Sequence, residues 1–222
     1  MIFTNPHKTI AGLRSAVYAP AAPENAMKAR CAKLHRKTRE TDIAVSLNLD
    51  GAGASAIETG LPFLNHMLEL LAKHSLIDLT IRAKGDLAVD YHHTVEDLGL
   101  ALGDALNAAL GDRKGISRYG WCLLPMDETL SQIALDLGGR PYLVLEMTCK
   151  KQKILEFELA LLTEFFRALV TQTRMNLHIN QLYGNEPHHA WESVFKGVAR
   201  ALRLAVARDA RVHGVPSSKG TI

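Results

Sequence analysis

Cysteine is scarce in this 222-residue chain: Cys31, Cys122 and Cys149 are odd in number, widely spaced and never in a C-x-x-C pair. That pattern excludes a disulfide framework and a cysteine zinc site, and it points to a reducing compartment such as the cytoplasm. Long apolar runs are missing too. None approaches the roughly 18–20 residues needed to cross a bilayer, so no membrane span is expected. Acids are nearly absent from residues 1–39, which hold eight Lys or Arg against Glu24 alone, whereas the rest holds 18 basic and 22 acidic residues. The formal charge of +3 therefore reflects a basic arm and not a basic folded face, which gives no argument for a nucleic-acid partner. A chain that is 47% hydrophobic and 22% charged has the composition of a soluble globular protein with a sizeable core.

Residues 1–35 show no sustained periodicity, and "YAPAAPENA" reads as loop. This arm has the basic, acid-poor character of a targeting presequence but no secretory apolar core. It is an unstructured or docked arm, or a transit segment, in which case a plastid replaces the cytoplasm. Beyond Arg36 the pattern becomes regular. "ETDIAVSLNLDG" alternates apolar and polar residues as a strand does, "LPFLNHMLELLAKHS" has helical spacing behind Pro62, "IDLTIRAKGD" is a second strand, and "HHTVEDLGLALGDALNAALGD" is a long amphipathic helix closing at Gly111. The same order then recurs. "DETLSQIALDLGG" and "NLHINQLYGN" are strands, while "LALLTEFFRALVTQ" and "HHAWESVFKGVARALRLAVARD" are helices. Placing Glu40-Thr41 over Glu128-Thr129 brings "HHTVE" into line with "HHAWE" after one loop-length adjustment. The expected fold is α+β: a tandem duplication of a small sheet with helices against it, residues 36–115 and 116–222, as two pseudo-equivalent halves.

The doubled His-His-x-x-Glu motif carries the chemistry. In a helix, residues four apart share a face, so His92 with Glu96 and His188 with Glu192 each form a two-donor clamp for a divalent cation. His93 and His189 lie about 100° round the helix from their neighbours, so each pair is read as feeding two different metals. His66 on the first helix and His178 in a strand of the second half complete eight donors, which divide into two sites of three His and one Glu. Imidazole-rich, sulfur-free ligation suits manganese, iron or zinc, and ligand positions left open mark a catalytic site. His7, His35, His74 and His213 are read as surface or satisfied core residues. Asp90 and Asp97 flank the first motif; Asp97 is either a partner holding a ligand in place or a solvated helix residue.

Basic residues beside Gly, Pro or Ser form a second group: Arg118 in "ISRYG", Arg140 in "GGRPY", Lys219 in "VPSSKG", and Lys196 four residues after Glu192. The Ser217-Ser218-Lys219 tail offers hydroxyls, backbone N–H groups and a cation to a phosphate.

With "RKTRET", "LPFLNHML", "HHTVEDLGLALG", "DRKGISRYG", "PMDETL", "DLGGRPY", "LHINQLYGNEPHHAWES" and "GVPSSKG" in view, the chain resembles the imidazoleglycerol-phosphate dehydratase family from about Arg36 to Gly220. The resemblance implies halves of the ribosomal protein S5 domain 2-like type and dehydration of imidazoleglycerol phosphate in histidine biosynthesis. It also implies two manganese ions per active site and an assembly of 24 subunits with sites at subunit contacts. It implies metal ligation by His66, His92, His93, Glu96, His178, His188, His189 and Glu192. It further implies phosphate contacts by Arg118, Arg140, Lys196, Ser217, Ser218 and Lys219. Glu40 falls on the family's acid–base carboxylate and contacts substrate; Glu128 is its repeat counterpart, structural or assisting. Asn65 departs from the family's Asp before the ligand His66, which puts the orientation of that imidazole in doubt. Two other classes fit the donor set alone: a dinuclear phosphatase or hydrolase, and a metal-organised assembly protein without activity.

Overall fold

A computed structural model of the chain describes residues 29–222, so for residues 1–28 the arm lies outside the described residues. The first sheet begins earlier than Arg36. Strand β1 (Cys31–Lys37) alternates inward Ala32, Leu34 and Arg36 with exposed Cys31, Lys33, His35 and Lys37. Its two apolar residues among four basic side chains hid the strand inside what reads as an arm.

β1 pairs antiparallel with β2 (Thr41–Asn48), which buries Ile43, Val45 and Leu47. A short β3 (Ser55–Glu58) runs parallel to β4 (Asp78–Gly85), giving the order β1-β2-β4-β3. Helix α1 (Pro62–Ser75) lies between β3 and β4 in the chain, and α2 (His92–Leu110) follows β4. The second half repeats this plan. β5 (Tyr119–Met126), β6 (Thr129–Asp136), β7 (Tyr142–Glu146) and β10 (Asn176–Tyr183) form a sheet in the order β5-β6-β10-β7, with the same antiparallel and parallel pairings. α3 (Leu161–Thr173) and α4 (Pro187–Val206) occupy the places of α1 and α2. The one added element is a small hairpin, β8 (Lys153–Ile154) and β9 (Phe157–Glu158), between β7 and α3.

The register of the repeat is set by the helix ends. α1 stops at Leu76 and α3 at Arg174, both in the left-handed region (φ 61° and 56°). Counting back from these caps pairs Leu64 with Leu162, Leu68 with Phe166 and Leu71 with Leu169, all buried. A leucine buried this fully contributes about 1.5–3 kcal/mol.

The halves share one core because their helices pair across: α2 packs on α3, and α1 on α4. Gly99 and Gly103 of α2 make the first contact close. A Cβ at Gly99 would stand 2.6 Å from the Phe165 carbonyl oxygen, and one at Gly103 2.8 Å from that of Leu169. α2 rests on β1 and β2, and α4 on β5 and β6, which leaves the other face of each sheet open. On the second sheet that open face carries Tyr119, Trp121, Leu123 and Tyr142, each more than half exposed. No helix among the described residues is long and apolar enough to cross a membrane.

Candidate metal centre

α4 starts cleanly at Pro187, and the Glu186 carboxylate before it accepts the backbone N–H of His189 at 2.6 Å. The next turn aims His188 and Glu192 at the flank of α1. There His188 Nε2 lies 3.0 Å and His66 Nε2 3.3 Å from Glu192 Oε2, with the two rings 5.3 Å apart. One donor atom from each of these three residues lies within 4.8 Å of the others. A cation bonded at roughly 2.0–2.2 Å needs donors about 3–4 Å apart, so the residues present fit a divalent metal. Glu192 is buried while the two imidazoles are half-buried. Burial pushes the Glu192 carboxyl up, but the Lys196 ammonium in direct contact with Oε1, helped by both imidazoles, holds it below its ordinary value. It stands ready as a carboxylate.

In the first half, His92 Nε2 and Glu96 Oε2 approach to 3.4 Å, and no third donor joins them among the described residues. The two members of each His-His pair diverge as the helical period requires, their rings crossing at 84° in one pair and 86° in the other. His93 Nδ1 meets Asp86 Oδ2 at 3.0 Å with Glu40 Oε2 at 3.8 Å, and His189 Nδ1 meets Glu128 Oε2 at 2.8 Å. The Asp86 carboxylate raises the His93 imidazole above its ordinary pKa; Glu128 does the same to His189 and is itself held down to about 2. A carboxylate on Nδ1 leaves Nε2 of each ring to point outward as a ligand. Asp86 went unread in the sequence because it looks like the polar end of a turn; only the fold brings it to His93.

His178 is apart from this set. On β10, Leu177 and Ile179 face the core beside α4, so His178 emerges on the open face of the sheet, stacked 6.3 Å from Tyr142. The sheet itself separates it from His188 and Glu192. The anion-binding candidates also separate. The Arg118 guanidinium is committed to both oxygens of Asp136 (2.6 and 2.9 Å) and to the Pro216 carbonyl (2.8 Å), and it stacks 4.7 Å from Tyr119. It therefore anchors the tail. A Cβ on Gly139 would touch Ile222, so the chain end lies beside exposed Arg140. Arg118, Arg140 and Ser217-Ser218-Lys219 thus gather at one end of the second sheet, with Ser218 and Lys219 exposed. Glu128 and His189 sit at the other end, seven residue steps of β6 away, about 23 Å. Lys196 stays with the metal donors.

Three further expectations resolve. Asp97 is neither solvated nor aimed at a donor: it accepts from the Arg36 guanidinium (2.8 and 3.0 Å) and the Thr41 hydroxyl (2.5 Å), tying α2 to β1 and β2. Asp90 accepts the His92 backbone N–H at 2.8 Å and caps the helix. Asn65 gives its amide oxygen to the Thr59 N–H (3.0 Å) and hydroxyl (2.6 Å), bracing the loop before α1; His66 is oriented instead by Glu192 and His188.

The family model for imidazoleglycerol-phosphate dehydratase matches residues 59–202. A protein of that name from Methylorubrum populi is 54% identical over 194 residues, spanning 87% of this chain and 100% of its own. The chain belongs to the imidazoleglycerol-phosphate dehydratase family. It is an enzyme of the hydro-lyase class. A second member, from Trichlorobacter lovleyi, is 52% identical over 87% of this chain and 99% of its own. Among solved structures, imidazoleglycerol-phosphate dehydratase from Staphylococcus aureus superposes with a TM-score of 0.74 at 38% identity, covering 81% of this chain and 99% of that one. The Pyrococcus furiosus family member gives 0.74 at 36% identity, over 85% and 100%. The α+β fold is the dehydratase family's fold.

Proposed function

We propose that this chain dehydrates imidazoleglycerol phosphate to imidazoleacetol phosphate in histidine biosynthesis, as a manganese enzyme whose sites form between copies of the chain. The observation that carries the reading is the cluster of His66, His188 and Glu192, built by two helices from different halves in a chain of this family. His66, His92, His93, Glu96, His178, His188, His189 and Glu192 would hold two manganese ions, which when bound supply Lewis-acid stabilisation of the substrate's imidazole as its anion.

The reaction must take a hydroxide from the carbon attached to the ring and a proton from the next carbon, which no carbonyl acidifies. Electron density from the ring expels the hydroxide, and the neighbouring C–H then becomes acidic. Glu40 is the residue proposed to take that proton; it stands exposed on the β1–β2 turn, 3.8 Å from His93. The enol so formed tautomerises to the ketone, and the net loss is one water.

Arg140, Ser217, Ser218 and Lys219, with Arg118 holding the tail in place and Lys196 beside Glu192, are the groups proposed to fix the phosphate and so the angle of attack. Since the tail and His178 lie away from this chain's own His188 and Glu192, neighbouring copies must supply them. A 24-subunit assembly would do so.

The test is to strip the purified protein with a chelator, add imidazoleglycerol phosphate with and without manganese, and follow the ketone. Ketone formed only with manganese supports the reading. No ketone under either condition overturns it, and release of inorganic phosphate would favour a dinuclear phosphatase.

A further inference from the structure

The hairpin β8–β9 breaks the symmetry of the chain. Residues 147–160 connect β7 to α3 in the second half, where residues 59–61 connect β3 to α1 in the first. The hairpin is tied to its own base by Leu159 N–H to the Gln152 carbonyl at 2.8 Å, and it buries Phe157 to 5% exposure. Phe157 enters between the beginnings of α2 and α1. On one side it stacks on Tyr91, the residue before His92, at 6.4 Å; on the other it meets Phe63 at 5.4 Å. Phe63 in turn sets its ring against His188 at 5.7 Å and 70°, and His188 lies 5.3 Å from His66. An unbroken row of rings, Tyr91, Phe157, Phe63, His188 and His66, therefore runs from the start of α2 to the three-donor cluster, and Phe157 links its α2 end to Phe63.

We propose that Phe157 is a positioning residue: through Phe63 it holds the His188 imidazole, and through Tyr91 the first turn of α2, in the orientation that metal binding requires. The inference rests on His188 being a metal ligand. An edge-on aromatic neighbour leaves the ring nitrogens free while restricting rotation about the side chain, which removing the partner ring would restore. A residue that merely fills space would contribute to folding but not to the geometry at the metal.

The test uses the full chain, stripped and titrated with manganese, and separately loaded with cobalt for its visible spectrum. Phe157→Leu keeps an apolar, somewhat smaller side chain and loses the ring. It should weaken manganese binding by about tenfold or more and shift the cobalt bands, with Phe157→Tyr restoring both. Phe165→Leu, an equal change in the main core, should lower the melting temperature and leave affinity and spectrum alone. Phe157→Leu binding within about twofold of the parent with an unchanged spectrum overturns the inference alone, as does an equal loss in Phe165→Leu. A parent chain that binds neither metal overturns the metal reading and this inference with it.

Discussion

In the second half His188 and Glu192 meet His66 and Lys196; in the first, His92 and Glu96 face each other with side chains 44% and 46% exposed. The topology of the two halves is the same, so the difference is one of side chains. Counting ten residues back from the left-handed caps, His66 of α1 corresponds to Glu164 of α3, which pairs with Arg167 on its own helix. Likewise strand register matches His178 of β10 with Thr80 of β4. Each half thus keeps one candidate ligand histidine that the other lacks. His66 finds its partners inside the chain, across the α1–α4 contact. His178 stands on an open sheet face, stacked on Tyr142, and in the proposed centre it would serve another copy. The repeat places two like clamps, one His-x-x-x-Glu pair in each half, and in the proposed centre the unmatched His66 and His178 would make them different parts of one site.

The sharpest way to break this comparison is to exchange corresponding carboxylates. Glu40→Gln should lower kcat by about 10²–10⁴ while leaving metal content and assembly intact. Glu128→Gln, at the same place in the second half, should leave kcat at saturating manganese near the parent value and weaken manganese binding about tenfold, since Glu128 holds His189. Equal losses of kcat would mean that the halves do the same work. Next in size, His66→Ala should weaken manganese binding more than about tenfold, whereas Glu164→Ala should not change it; calorimetric titration decides.

Stability separates the halves as well. Gly99 and Gly103 of α2 correspond to Phe195 and Ala199 of α4, so only the α2–α3 contact depends on missing side chains. Gly99→Ala should destabilise by about 1–3 kcal/mol from overlap with the Phe165 carbonyl, and Ala199→Gly by about 0.5–1 kcal/mol from chain entropy, both read by denaturant melts. The smallest effect concerns pH. Backbone N–H groups of Ala54 and Ala52 hold the Asp78 carboxyl below the ordinary range, whereas the matching residue of the second half, Asn176, does not titrate. A carboxyl lowered on folding stabilises above its unfolded pKa, and that contribution fades as pH falls through the folded value, below about 4. Asp78→Asn should flatten this part of the acid melting curve; an unchanged slope would remove Asp78 from it.

The four helices and strands β2, β4, β6 and β10 were legible because their apolar residues recur at the helical or alternating period, and the repeat showed in the spacing of rare residues. β5 was missed for a physical reason: "YGWCLLPM" is apolar on both faces, with Trp121 and Leu123 on the open side, so no alternation marks it. β3, β7, β8 and β9 are two to five residues long and leave too short a pattern. At the site, spacing alone paired His188 with Glu192 and His92 with Glu96. That His66 joins the second pair and that Arg118 is taken up by Asp136 depend on contacts between different elements, and that Asp86 backs His93 depends on how the short turn between β4 and α2 folds.

The central claim is that the active site is assembled from more than one copy, because His178 and Glu192 lie on opposite sides of the same sheet. It is tested most directly by mixing two inactive variants. His178→Ala and Glu192→Ala should each fail to turn over imidazoleglycerol phosphate. Unfolded together in equal amounts and refolded with manganese, they should regain about a quarter of the parent activity, the fraction of sites that random mixing leaves with both residues intact. A mixture as inactive as its components would contradict the account.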